Sequence, residues 1–566
     1  MAIPRLVKHI SAFFLILPIL FSSLEASDSF DKRHILYLMS TKKVNKAIDQ
    51  YLKHYEKEKK HDFKILTQMA QILIDLGSNS KNLEEQIFTL FGISLCGNPS
   101  LAFLENALKS PFPMVQIAAL DLLAQQHDDL TNDIIAIALK SRFLNVRMEA
   151  LHHLINRKAK QALGHVESLA NLLPSQFRPL FVELFAVYNS HESIQKLKQL
   201  FSDRDLKVRL STILIAARYQ RDDLLVNIRS ALTQPDPLLK EAASCSLGIL
   251  KDLSSEAQLK IAAESPFAET KLAASFALHQ LGNINAKEKI LELAIEGNPF
   301  AISLCGHIPQ SYEILKKLLH SKNTIIQLNA GLALLQNKKL ESLPIIKKIL
   351  AADTQFDGFM PFSSPGRSLT AWKYISPAMF PVENAKQKLQ AISNSFQEEL
   401  LQKCLDLPEE KFLEIAHFLL DKKQNQLVPL LVRLLENLGS PKAVTFLNQK
   451  ANQVGSPFVR AYCQLALYRL GESQANRTRF LKWLAKQHMP QLIEFKPMLD
   501  RGAREDKNIS NYTLSPKETT ALLIESFDAI ATKHDIDGIT LILKAMRGGH
   551  AKNRFALAGL LLKSIQ

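Results

Sequence analysis

Metal ligation, redox exchange and nucleophilic or acid–base catalysis would fall first to the five cysteines and sixteen histidines of this 566-residue chain. Cys96, Cys245, Cys305, Cys404 and Cys463 form no Cys-x-x-Cys pair. Their odd number and wide spacing inside apolar stretches fit buried structural thiols rather than a disulfide or zinc framework. His152 and His153 are adjacent, so a helix would point them to different faces. No His-Glu-x-x-His, Gly-x-Ser-x-Gly or Gly-x-x-x-x-Gly-Lys sequence occurs, which removes the local signatures of zinc hydrolases, serine hydrolases and phosphate-cradling loops. The sequence therefore nominates no catalytic residue, no metal ligand and no cofactor. The chain reads as a non-enzyme, although a site assembled from distant segments would leave no local motif.

Two other groups of residues carry interaction chemistry. Arg147, Arg178, Arg209, Lys240 and Lys271 follow one another at intervals of 31 residues. Stacked helical layers would set them about 10 Å apart, either as a structural ladder or as a basic groove for an acidic protein, a lipid headgroup or nucleic acid. Phe356, Phe359, Phe362, Trp372, Tyr374 and Phe380 crowd into a segment broken by Pro361, Pro365, Pro377 and Pro381. Those prolines exclude a continuous helix. Six exposed aromatics would form a large apolar patch, so the segment must fold back on the body of the protein or engage a partner.

The 31-residue interval extends well beyond the basic positions. The same interval takes in Gln116 before Arg147 and Ile302 after Lys271, making seven reference positions; twelve residues before each the chain reads Leu104, Ile135, Val166, Leu197, Ile228, Leu259 and Ile290, and three after, it reads Ala119, Ala150, Phe181, Thr212, Ala243, Ala274 and Cys305. With their i+3 and i+4 neighbours these columns make apolar stripes on two successive short helices. A further unit, a step of 25, is anchored at Gln327. Helices this short are marginal alone, and stacking one pair on the next buries both stripes.

The segment from Pro235 through Asp236-Pro237 and Ala242-Ala243 to Leu247-Gly248 resembles the HEAT repeat of the short, phycobilisome-lyase-like type. Val146-Arg147, Val208-Arg209 and Val459-Arg460 match the pair that opens the second helix, and Leu281-Gly282 and Leu470-Gly471 match its ending. The resemblance covers about residues 100–350 and a further unit at 440–475. It implies an all-α, right-handed α-solenoid of stacked helical hairpins with helical caps. It also implies that the basic ladder pairs with acidic residues of adjacent units. It implies no particular activity.

The remainder of the chain is organised around that array. Arg5, Lys8 and His9 precede the apolar run Ile10–Phe21, which reads as a signal peptide over residues 1–26; the alternative is a buried N-terminal helix. The run is shorter than the roughly twenty residues of a membrane span. The expected divisions are an N-terminal helical cap at 27–98, the array at 99–352, the aromatic insertion at 353–383, further repeats at 384–487, an irregular connection at 488–516 and a C-terminal cap at 517–566. Lys53, Lys57, Lys59, Lys60 and Lys64 make the first cap basic, and the whole chain carries +15. The reading is an exported, non-catalytic scaffold of a bacterial envelope or secreted from the cell, whose partner is another protein, one that the positive charge allows to be acidic. The alternative is a peripheral envelope protein that binds anionic lipid or polysaccharide. Nucleic acid fits least, because the charge is dispersed.

Overall fold

The computed structural model describes residues 31–97, 99–128, 130–159, 162, 164–166, 178–188, 190–422, 426–453, 455–487, 489–497 and 512–566. The expected signal peptide lies outside them.

The repeats form as their turn residues dictate. Asp236 accepts a hydrogen bond from the Leu238 amide at 2.8 Å, and Pro237 takes the first helical position, where its missing N–H costs nothing. Asp205, Asn298 and Asn323 cap the second helices Leu206–Arg218, Pro299–Leu304 and Thr324–Gln336 in the same way. The Leu-Gly endings do two different jobs. Gly282 follows its helix with φ of +95°, a conformation that L side chains avoid. Gly248 instead lets two second helices meet, since a Cβ there would stand 2.8 Å from the Ala277 Cα.

The 31-residue columns are the core. All seven aliphatics from Leu104 to Ile290 are 0% exposed, and the seven positions from Ala119 to Cys305 are at most 3% exposed. Thr212, the polar member, satisfies its buried hydroxyl on the Val208 carbonyl at 2.8 Å. The protein is an α-solenoid of stacked helical hairpins.

That stack closes on itself. The row of second helices begins at Leu83–Cys96, continues through Pro113–Ala124, Leu144–Asn156, Arg178–Val187, Leu206–Arg218, Pro237–Ile249 and Ala268–Gln280, and runs on to Pro457–Leu470. The C-terminal helices Glu518–Thr532 and Asn553–Lys563 extend it, and the last of these packs on Leu83–Cys96 and Phe63–Ser78. Ile536–Gly548 packs likewise on Val44–Glu58. Arg547 pairs with Asp49 at 2.5 Å, Lys552 with Glu84, and Arg554 donates to Asn45 at 2.6 Å. The helices expected as two separate caps therefore cover each other: the apolar faces that end the array are complementary, and mutual burial removes both from water.

Two β-ribbons interrupt the helices. Strands β1 (Gly358–Ser363) and β2 (Thr370–Ile375) pair antiparallel, with Gly358 opposite Ile375 and Pro361 opposite Trp372. A two-strand ribbon leaves one edge of each strand unpaired, which is how β1 accommodates a proline. Strands β3 (Phe495–Pro497) and β4 (Tyr512–Pro516) form the second ribbon, and Phe495 packs its ring between Phe88 and Phe91 of the N-terminal region. Both lie where the sequence predicted irregular chain. Among the described residues no helix is long and apolar enough to cross a membrane.

Candidate interaction surface

Most successive second helices pack directly on one another, whereas successive first helices touch less, so the second helices line the inner side of the row; between Thr324–Gln336 and Glu383–Lys403 the β1–β2 ribbon packs on both helices instead. The β1–β2 ribbon lies on that inner face, reaching from the Pro237–Ile249 helix past the Thr324–Gln336 helix to the Glu383–Lys403 helix. Three contacts hold its backbone. The Asn329 amide donates to the Trp372 carbonyl at 2.8 Å and its oxygen accepts from the Trp372 N–H at 2.9 Å, so one side chain satisfies both polar groups of an extended residue. The Ser393 hydroxyl accepts from the Phe359 N–H at 2.8 Å and shares its single proton between the Leu389 carbonyl at 2.8 Å and the Phe359 carbonyl at 3.2 Å. Glu241 takes the turn: its carboxylate accepts from the Gly366 N–H at 2.8 Å, the Ser368 hydroxyl at 2.7 Å and the Ser364 hydroxyl. Glu241 is 1% exposed, so these donors replace the water it lost. Gly366 is required by the close approach, because a Cβ would stand 2.7 Å from the Glu241 carboxylate.

The six aromatics divide between two environments. Trp372 stacks on Phe396 with ring centroids 3.7 Å apart, Phe359 meets the same ring at 5.7 Å, and Phe362 packs on Phe300 at 5.3 Å. Phe380 is half-buried. Phe356 and Tyr374 remain open to solvent, at 70% and 44% exposure. The insertion is thus folded onto the solenoid, with two of its rings facing outward.

The basic column works differently from the resemblance's implication. Arg147 donates to the Ser141 carbonyl at 2.9 Å and Arg209 to the Asp203 carbonyl at 2.7 Å, each closing the turn of its own unit. Gln116 and Gln86 make the equivalent bonds to Ser110 and Ser80 at 2.6 and 2.5 Å, and the Ser110 and Ser141 hydroxyls donate back to Gln86 and Gln116 at 2.7 and 2.8 Å. The position needs an N–H donor for a turn carbonyl, and a glutamine serves as well as an arginine. Lys240 and Lys271 are half-buried; Glu264 is held below its ordinary range by Lys289 and secondarily by Lys271. The side chain of Arg178 lies outside the described residues.

Arginines outside the register do the inter-repeat work. Arg221, 5% exposed, forks onto Asp223 at 2.6 and 2.7 Å and donates to the Ala186 and Tyr188 carbonyls of the preceding unit at 3.1 and 2.6 Å. Arg157 donates to the Gln126 and Asp128 carbonyls at 2.5 and 3.2 Å. Both cap the C-terminal end of a helix one repeat back, where unpaired carbonyls attract cations. The 31-residue columns did not reveal them because the two arginines occupy different columns.

One titratable cluster lies between repeats. His153 Nε2 is 3.2 Å from an Asp121 oxygen and 3.3 Å from a Glu149 oxygen. Burial opposes its charged form, but the Asp121 and Glu149 carboxylates outweigh it and raise the imidazole to about 9. The cysteine expectation is tested by environment: Cys245, Cys305, Cys404 and Cys463 are buried free thiols, pushed up to about 12 mainly by burial.

No family model matches the chain, and no curated protein matches it. Among solved structures it is similar to the complex of CpcE and CpcF of phycocyanin lyase from Nostoc sp. PCC7120, at 17% identity over 39% of this chain and 95% of that one, with a TM-score of 0.26. It is also similar to UNC-45 from Drosophila melanogaster, at 12% identity over 95% of this chain and 83% of that one, with a TM-score of 0.28. A third similarity is to the karyopherin Kap121p bound to the extreme C-terminus of the protein phosphatase Cdc14p, at 12% identity and a TM-score of 0.27; 94% of this chain spans 66% of that one.

Proposed function

We propose that this protein is a non-catalytic protein-interaction scaffold, exported from the cell, whose inner face holds extended polypeptide. The observation that carries the reading is the pairing of the Asn329 side chain with both backbone groups of Trp372. Such bonds recognise an extended chain with little regard to its sequence, while Phe300 and Phe396 supply apolar seats for alternate side chains. Phe356 and Tyr374, exposed on the same insertion, are the surface offered to a partner. The test is cross-linking of the mature protein in its native compartment, followed by washing at high ionic strength. A complex that survives salt and is lost in the Phe356→Ser/Tyr374→Ser double variant supports the scaffold; an undiminished complex removes this surface from it. N-terminal sequencing tests export, and an intact Met1 ends that part.

A second reading rests on the exposed lysines 53, 57, 59, 60 and 64, which gather at one turn. They would serve a peripheral protein on anionic lipid or polysaccharide. Binding to anionic vesicles that disappears at high salt and on replacement of these lysines by glutamine favours it.

A further inference from the structure

We propose that Asp121, Glu149 and His153 form a divalent-metal site that joins the second helices of two successive repeats. Asp121 comes from Pro113–Ala124, and Glu149 and His153, one helical turn apart, come from Leu144–Asn156. One ligand atom from each, a nitrogen and two oxygens, lie within 4.8 Å of one another. The Nε2 separations of 3.2 and 3.3 Å match the roughly 3.4 Å expected between neighbouring donors on a tetrahedral zinc ion with bonds of about 2.1 Å. The His153 side chain is 9% exposed, its Nε2 is aimed at both carboxylates, and Asp121 and Glu149 are half-buried, so an ion could enter from their side.

Among the described residues the trio belongs to this junction alone. At the corresponding columns of later repeat pairs the chain reads His152, Leu180 and Leu184, then Glu183, Ser211 and Ile215, then Leu214, Ala242 and Ser246, then Cys245, Ala273 and Ala277. Small and apolar residues are what those helix contacts otherwise use, and a polar trio there needs a separate reason. Charge supplies one: two carboxylates and a neutral imidazole balance a divalent cation. Binding would release the Nε2 proton to solvent and transfer its lone pair to the metal. Mixed nitrogen and carboxylate donors suit zinc, cobalt or manganese better than calcium. Three protein donors leave at least one coordination position for water.

The test uses the full mature chain with Zn²⁺ in titration calorimetry and Co²⁺ in visible absorption. The expected result is one tight equivalent of zinc, a higher thermal midpoint with excess metal, and cobalt d–d bands without thiolate charge transfer. Asp121→Asn and His153→Gln should each weaken zinc by at least about 100-fold, the upper end of what losing even a supporting group costs. Asp121→Asn keeps the volume and the imidazole, so it carries the test if His153→Gln fails to fold. Absence of zinc binding, equal binding by the folded Asp121→Asn variant, or a thiolate band in the cobalt spectrum would overturn the proposal.

Discussion

Gly559 of the last helix and Gly92 of the Leu83–Cys96 helix meet backbone to backbone, so closely that a Cβ at Gly559 would stand 1.9 Å from the Gly92 carbonyl oxygen. The two ends of the row of second helices touch here, 467 positions apart, and the Cys96 thiol donates across the same seam to the Gly559 carbonyl at 2.9 Å. Gly559→Val should force the seam apart. The expected cost is at least about 1–3 kcal/mol, as for overpacking elsewhere, with a larger radius of gyration in small-angle scattering. An unchanged scattering profile would mean that the ends are not closed in solution.

The thiols report on the same seam. Four are buried with pKa values pushed up to about 12, and burial also raises Cys96. The native chain should resist alkylation at pH 8, because the thiolate is the reactive form, while the denatured chain labels all five. In Gly559→Val, peptide mass mapping should find Cys96 labelled first.

Glu241 decides whether the ribbon stays docked. Glu241→Ala strands the donors of Ser364, Gly366 and Ser368, at a cost of about 1–3 kcal/mol. Hydrogen exchange should rise in residues 364–372 and not in the outer helices. Exchange confined to wild-type levels would sink the account of the clasp.

Arg221 and Arg209 separate the two uses of basic side chains. Arg221 is buried and is the donor to two carbonyls of the preceding unit, while its ion partner Asp223 is exposed, so Arg221→Ala should destabilise by about 2–3 kcal/mol in urea unfolding, mainly through the stranded carbonyls. Arg209 bonds only carbonyls of its own turn in a half-buried setting, and Arg209→Ala should cost about 1 kcal/mol. The reverse order would restore the register arginines as the inter-repeat ties.

Acid should attack the C-terminal closure. Asp535 is 8% exposed; burial opposes its charge, but bidentate bonds from Arg477 at 2.6 and 2.9 Å and one from the Tyr468 hydroxyl at 2.9 Å hold its carboxyl below the ordinary range. A carboxyl lowered by folding stabilises above its unfolded value of about 3.9 and loses that contribution as pH falls through its folded value. Asp535→Asn should therefore be less stable than wild type at pH 7, and the gap should narrow toward pH 3 in parallel melts.

The 31-residue register, the Asp-Pro caps and the aliphatic columns were legible because each follows from contacts within a repeat or between neighbours, which recur at fixed spacing. The aromatic segment was legible as an exception, but its strands were not. Pro361 and Gly366 argue against a strand unless one knows that Pro361 lies in a two-strand ribbon and that Gly366 sits against Glu241. The trio of Asp121, Glu149 and His153 was hidden for a similar reason, since its members come from two helices and share no motif. By itself the sequence determined a solenoid of helical hairpins, through periodic burial that any local reading detects. Only the tertiary structure decided that the solenoid closes and that its own ribbon lies on the inner face. Those outcomes depend on surfaces more than one repeat apart in the chain, from the 34 residues between Phe359 and Ser393 to the 123 between Glu241 and Ser364 and beyond, whose complementarity no local periodicity records.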